Sequence, residues 1–333
     1  MRLLSVKFFR VGIDWFTPAL LLMILLGWLF PGPGLKTGIF SIKQLAGYGI
    51  SVIFFLYGLR LSVGQLVKCA AHWKLHLVIQ SVTFIIFPLL ILIFRKFFTG
   101  GKYEELWLGV FFLAALPSTV SSAVVMVSLA GGNIPGAVFN ATFSSIAGIL
   151  ITPLWMGLFV QGAGGGSMDI LPVFSRLAYQ ILLPLAAGVA LHSRLGEIAI
   201  RNKGFTRYFD QSVILAIVYS SFSVSFSTGV FRGIGLPVIF LLMLALLVFF
   251  AFINLLITIF ARRAGLSRED RIAALFCGST KSLMHGSVMA KVLFSNVASA
   301  GLLLLPVLIY HAMQLALTGV MSQRFAAGKS KHA

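Results

Sequence analysis

Long apolar stretches alternate with short polar ones along almost the whole chain. Ten apolar segments stand out, at about 12–30, 40–59, 75–94, 106–129, 135–159, 172–191, 210–229, 236–260, 272–291 and 298–321. Each is near the roughly 20 residues that an α-helix needs to cross a hydrocarbon core. The pattern predicts an all-α polytopic membrane protein with ten transmembrane helices. A Gly-rich stretch, Gln161 to Ser167, separates five segments from five. This gives a first five-helix repeat at 12–159, a linker at 160–171 and a second repeat at 172–324. An odd number of crossings per repeat inverts the second relative to the first, an arrangement common in secondary transporters.

Two of the segments are unusual inside. Leu116-Pro117-Ser118-Thr119-Val120-Ser121-Ser122 interrupts the fourth, and Cys277-Gly278-Ser279-Thr280-Lys281-Ser282 interrupts the ninth. Pro117 lacks a backbone donor and disfavours helix at the residue before it. Gly278 leaves the backbone accessible. Both helices are expected to break, at Pro117 and at Gly278, and to meet. A break in hydrocarbon needs its freed backbone groups satisfied by protein or water. The hydroxyls of Ser118, Thr119, Ser121, Ser122, Ser279, Thr280 and Ser282 can do that, or can bind a polar solute. For any one serine, bonding to its own helix is the plainer reading. Two clusters at matching places favour a transport site.

Composition agrees with the pattern. Hydrophobic residues make up 59% of 333 positions and charged residues 10%, against about 25% charge in a soluble domain. Mean hydropathy is +1.01. The formal net charge is +18, yet the cations lie in short connections, which argues for membrane topology rather than nucleic acid. Most of them fall in the N-terminus, 60–74, 194–207, 262–271 and the tail. That bias predicts both termini on the cytoplasmic side of an inner or plasma membrane. Arg2, Lys7 and Arg10 before an apolar run resemble a secretory leader, but the run ends at Phe30-Pro31-Gly32-Pro33-Gly34 without a small-x-small cleavage site. A retained first helix is expected.

Lys281 is the sharpest single residue. A charge deep in a membrane helix is costly and should face protein or water. The acidic residues, Asp14, Glu104, Glu105, Asp169, Glu197, Asp210, Glu269 and Asp270, all lie near segment ends or in loops, so no carboxylate is placed to pair with it. Three roles are open: a neutral amine, a binder of an anionic substrate, or an ammonium standing where a metal ion would sit. His285, one turn on, shares its face. In the fifth segment Asn140 and Ser144 share a face, and in the tenth His311 and Gln314 stand three apart after Pro306. His72 and His76 flank Trp73 and Lys74, which reads better as an interfacial anchor than as a metal site. There is no Walker loop, no Rossmann context and no metalloprotease motif.

Several blocks resemble the bile acid:sodium symporter superfamily, and more closely its SBF-like branch, which includes the solute carrier family 10 member 7 type and bacterial sodium-dependent transporters. They are Phe54-Phe55 with Gly58-Leu59, His72 through Leu77, Pro117 through Ser122, Ala130-Gly131-Gly132-Asn133, Phe276 through Leu283, and Pro306 with Ile309-Tyr310-His311 and Gln314. The resemblance implies unwound, crossing helices 4 and 9. It also implies a core domain of helices 3–5 and 8–10 and a panel domain of helices 1, 2, 6 and 7, with substrate beside the crossing and sodium inside the core. The match departs from the bile acid branch in one respect. Phe276 stands where that branch has a sodium-binding glutamate, Thr280 where it has a glutamine, and Lys281 where it has an asparagine. Ser121-Ser122 align with its Ser-Asn pair. A reduced sodium site at Ser121, Ser122, Asn140, Ser144 and Thr280, proton coupling through Lys281, and transport without ion coupling all stay open.

The expectation is a non-enzymatic secondary transporter of a small organic, anionic solute, working by alternating access. Its partners are a small-molecule substrate and membrane lipid, with no nucleic acid and no cofactor, sodium as a coupling ion staying open beside protons and no coupling. The transport site is expected at Ser118, Thr119, Ser121, Gly278, Ser279, Thr280, Lys281, Ser282, His285, His311 and Gln314. The competing classes are a non-transporting regulator of ion homeostasis and an intramembrane enzyme.

Overall fold

The computed structural model describes residues 15–61, 72–159, 175, 178–232, 234–294 and 297–329. The expected linker at 160–171, the basic residues Arg2, Lys7, Arg10 and Lys68, and Cys69 lie outside the described residues.

Helix follows helix. α1 (Phe16–Leu29) stops ahead of Pro31 and the single turn α2 (Gly32–Leu35). α3 (Ile42–Leu59) starts on Ser41, whose hydroxyl accepts from the Gln44 N–H at 3.2 Å. α4 (Trp73–Ser81) runs through a π-turn, Val82–Ile86, into α5 (Phe87–Leu92). α6 (Glu104–Ala115) carries Glu104 and Glu105 in its first turn, where the helix dipole favours acids. α7 (Ser121–Ala130) ends on Gly131 at φ +70°, the left-handed turn that glycine adopts most cheaply. α8 (Ile134–Gly157) begins on Asn133, which accepts from the Gly136 N–H at 2.9 Å. After a second π-turn, Ala178–Leu182, come α9 (Leu183–Ala190), α10 (His192–Arg201) and α11 (Lys203–Ser227). The chain closes with α12 (Leu236–Arg263), α13 (Arg268–Ser279), α14 (Leu283–Leu293) and α15 (Ala300–Lys329).

All ten expected apolar segments contain helix. Among the described residues, six single helices or helical runs are long and apolar enough to cross a membrane: Ile42–Leu59, Trp73–Leu92, Ile134–Gly157, Gly204–Ser227, Leu236–Arg263 and Ala300–Ala327. The other four segments are α1, the run into α9, and the two interrupted pairs α6/α7 and α13/α14. α12 is the most lipid-like, with only 22% of its apolar window buried. Its Leu236, Phe240, Leu241 and Val248 are largely exposed, as suits side chains solvated by acyl chains.

The polar connection expected between Arg194 and Arg207 is helical instead. Ala178–Ala190 and His192–Arg201 meet at 100°, and α10 buries Gly196 and Ala199 while its charges face outward. A helix polar on one face and apolar on the other can lie along a membrane surface. Composition alone made it look like a loop.

Two groups of helices form by packing. α1, α3, α9 and α11 pack on one another, and α4–α8 pack with α12–α15; α11 touches α14 and α15 across the divide. The tightest approach is α3 on α9, where glycine meets glycine. A Cβ on Gly188 would collide with the Phe55 carbonyl and lie 2.9 Å from the Leu59 nitrogen. One on Gly58 would collide with the Leu185 carbonyl. Small residues that let backbones touch are a main source of cohesion between membrane helices. Gly188→Val is expected to lower the melting temperature in detergent by several degrees or to prevent folding, at about 1–3 kcal/mol or more for overpacking. Gly47→Ala on the same α3, where a Cβ meets open space, should leave melting unchanged.

Candidate transport site

The first break follows directly from Pro117. Leu116 takes an extended conformation (ψ 150°), as residues before proline do, and helix resumes at Ser121. The second break begins later than the sequence suggests. Helix continues through Gly278 to Ser279 and gives way only at Thr280, which is extended at ψ 147°. Gly278 serves packing instead: a Cβ there would sit 3.0 Å from the Ile257 side chain of α12.

The two breaks touch. The Ser282 N–H donates to the Pro117 carbonyl at 2.9 Å, and the hydroxyls of Ser118 and Thr280 lie 3.3 Å apart. The helix after each break supplies what its backbone lacks. From α8, Thr152 donates to the Ala115 carbonyl at 2.8 Å and Ser144 accepts from the Ser118 N–H at 3.0 Å. From α15, Tyr310 donates to the Ser279 carbonyl at 2.7 Å. The Gln314 amide clasps Lys281, accepting from its N–H and donating to its carbonyl, both at 2.8 Å. His311 is half-buried, with its Nδ1 3.2 Å from the same amide nitrogen.

Lys281 is 1% exposed. Its Nζ donates to the carbonyls of Thr83 (2.9 Å), Ala114 (2.7 Å) and Leu116 (2.8 Å). It also lies 4.0 Å from the centre of the Phe87 ring. Three acceptors at these distances fit an ammonium, which has three donors; a neutral amine would turn its lone pair on one of the carbonyls.

The remaining expected residues divide. Ser279 and Thr280 bond to their own helix at the Leu275 and Phe276 carbonyls (2.7 and 2.8 Å). Ser282 caps α14 and pairs with His285 Nδ1 at 3.0 Å. The His285 ring stands edge-on to Phe54 of α3, and its buried Nε2 has no hydrogen-bond partner. Thr119 accepts from Ser122 at 3.1 Å. Ser121 is exposed. Asn140 turns to α4, where it meets His76 Nδ1 at 2.8 Å and Gln80 at 3.1 Å. So Ser144 and Thr280 lie at the crossing, Asn140 belongs to a separate cluster with His76 and Gln80, and Ser121 faces away from the protein interior. Among the described residues no three His, Cys, Asp or Glu side chains form a metal-binding group.

Sequence reading missed Phe87, Tyr310 as a donor to the break, and the carbonyls of Thr83, Ala114 and Leu116. Pro88 was the one available signal. In the π-turn the Phe87 N–H bonds to the Val82 carbonyl, and Pro88 has no N–H to offer Thr83.

A cavity of about 330 Å³ opens between the two helix groups. Lys43 of α3, Ser220 and Ser221 of α11 and Lys291 of α14 supply its polar lining, and none of the described lining residues is acidic. Lys291 and the buried, unpartnered Ser287 hydroxyl are four residues apart on α14, so they share a face.

Apolar helices around two interrupted, mutually bonded ones define a multi-pass membrane protein with a polar centre. The chain belongs to the SBF-like CPA transporter family, whose model matches residues 14–327. It is therefore a secondary transporter rather than an enzyme. It is similar to an uncharacterised protein of Pseudomonas aeruginosa, 39% identical over 94% of this chain and 93% of the relative. YfeH of Escherichia coli, named as a symporter, is 34% identical over 96% of this chain and 94% of its own length. Sodium/bile acid cotransporter 7 of Danio rerio is 32% identical, covering 94% and 93%.

Proposed function

We propose that this transporter moves a small organic anion by alternating access, through the cavity between the two helix groups. The observation that carries the reading is the cavity's charge. Two lysines on opposite helix groups and two serine hydroxyls face one space with no acid among its described lining residues, a lining that attracts anions and repels cations. A solute held between Lys43 on one group and Lys291 on the other would bridge the surfaces that must move.

Ten crossings in two inverted repeats account for the matched support of the breaks: Thr152 and Ser144 from α8 for the first, Tyr310 and Gln314 from α15 for the second. With both termini cytoplasmic in an inner or plasma membrane, as the charge bias favours, the ends of α3 and α14 bearing Lys43 and Lys291 face outward. The deeper path would pass Ser287 and His285, whose free polar atoms suit a solute. Ser118, Thr119, Ser279, Thr280 and Ser282 then act mainly by holding the breaks.

Binding tests the reading. Purified protein should be stabilised against heat by some members of a panel of mono- and dicarboxylates and sulfonates, and not by neutral isosteres. Lys43→Gln and Lys291→Gln should each weaken that stabilisation about tenfold in concentration. Stabilisation by neutral or cationic solutes alone, or by anions equally well in both variants, would defeat it.

A further inference from the structure

The Lys281 ammonium does what a bound cation does, and the backbone is built to receive one. Each of its three acceptors has been released from helical bonding for a separate reason. Thr83 loses its donor because the π-turn diverts the Phe87 N–H to Val82 and because residue 88 is proline. Ala114 loses its donor because the Ser118 N–H goes to Ser144. Leu116 points out of the helix because it precedes Pro117. The oxygens come from two separate chain segments, the α4–α5 run and the α6/α7 break, and Lys281 itself comes from a third. The Phe87 ring closes another side with its negative face.

No carboxylate takes part. Among the described residues the ion pairs are Arg60 with Asp210 and Arg201 with Glu197. The charge is held by carbonyl dipoles and one aromatic ring. Rings of carbonyl oxygens are how proteins replace the hydration of a monovalent cation. A second observation points the same way: the Thr83 hydroxyl, on the residue whose carbonyl meets the ammonium, is fully buried and has no hydrogen-bond partner. It is a spare oxygen beside the cradle.

We infer that the carbonyls of Thr83, Ala114 and Leu116 with the Phe87 ring form a monovalent-cation site that the chain fills with its own Lys281, so that truncating Lys281 opens the site to a free cation. The tethered ammonium ties the third, fourth and ninth expected segments together without an ion from solution. The inference does not depend on which solute the cavity carries, and its test reads stability alone.

Thermal unfolding of purified wild type, Lys281→Ala and Lys281→Gln would be followed in ammonium, methylammonium, potassium, sodium and choline chlorides at one ionic strength. Wild type should give one midpoint in all five salts. Lys281→Ala should melt lower in choline and recover by several degrees in ammonium or methylammonium. The recovery should rise and saturate with concentration as mass action requires. A smaller gain is expected for Lys281→Gln, whose amide keeps two donors. No cation-specific recovery in Lys281→Ala would overturn the inference, as would an equal gain in wild type. Should Lys281→Ala fail to fold in every salt, Lys281→Gln decides by the same comparison with choline.

Discussion

Replacing Lys281 with methionine should leave a protein that melts far lower and transports nothing. The two side chains are close in length, so the change removes the ammonium and leaves the space filled. The carbonyls of Thr83, Ala114 and Leu116 then face a thioether that donates nothing. A buried polar group without a partner costs about 1–3 kcal/mol, and here there are three. Against a total stability of about 5–15 kcal/mol, that is a large fraction. Because methionine still occupies the cradle, ammonium should not restore this variant, unlike Lys281→Ala. Chemical denaturation in detergent gives the stability, and uptake by reconstituted protein gives the activity. Near-normal melting of Lys281→Met would mean the carbonyls have other donors at hand.

Gln314→Ala is expected to be nearly as damaging by a different route. The Gln314 side chain is fully buried and makes both bonds of the amide clasp on Lys281. Its loss orphans one donor and one acceptor of the broken helix and leaves a small void, about 2–5 kcal/mol together. It also frees the Lys281 backbone to rotate, so the ammonium should loosen with it. Gln314→Glu should separate the two effects. Its carboxylate can still accept from the Lys281 N–H but cannot donate to the carbonyl. We expect an intermediate loss of melting temperature for Gln314→Glu. Equal losses for both variants would mean that the accepting half of the clasp contributes nothing.

Hydropathy was enough to place helix within each of the ten apolar segments, because long apolar runs in hydrocarbon have few alternatives to helix. Pro117 likewise announced its break, since proline acts on the residue before it through local sterics. The second break was misplaced by two residues. Gly278 permits a break but equally permits a close neighbour, and only the packed Ile257 shows which use was made of it. α10 was hidden because a short helix lying along a surface has the composition of a polar loop. At the site, side chains were legible and acceptors were not. Lys281, His285, His311 and Gln314 were named from their residue types. The oxygens that hold the Lys281 ammonium belong to the backbones of Thr83, Ala114 and Leu116, and a carbonyl has no signature in sequence. Asn140 shared a helical face with Ser144, yet His76 and Gln80 of α4 were nearer partners. Spacing gives the face of a helix but does not give the neighbour.

The most direct test of the account as a whole is flux. Protein reconstituted into liposomes would be supplied with whichever radiolabelled organic anion stabilises it most in the binding panel, in sodium and then in choline. The account predicts saturable uptake that is lost in Lys281→Met and weakened in Lys43→Gln and Lys291→Gln. An anion that binds the cavity in wild type but is never carried across the membrane would contradict it, and would point to a membrane regulator built on a transporter fold.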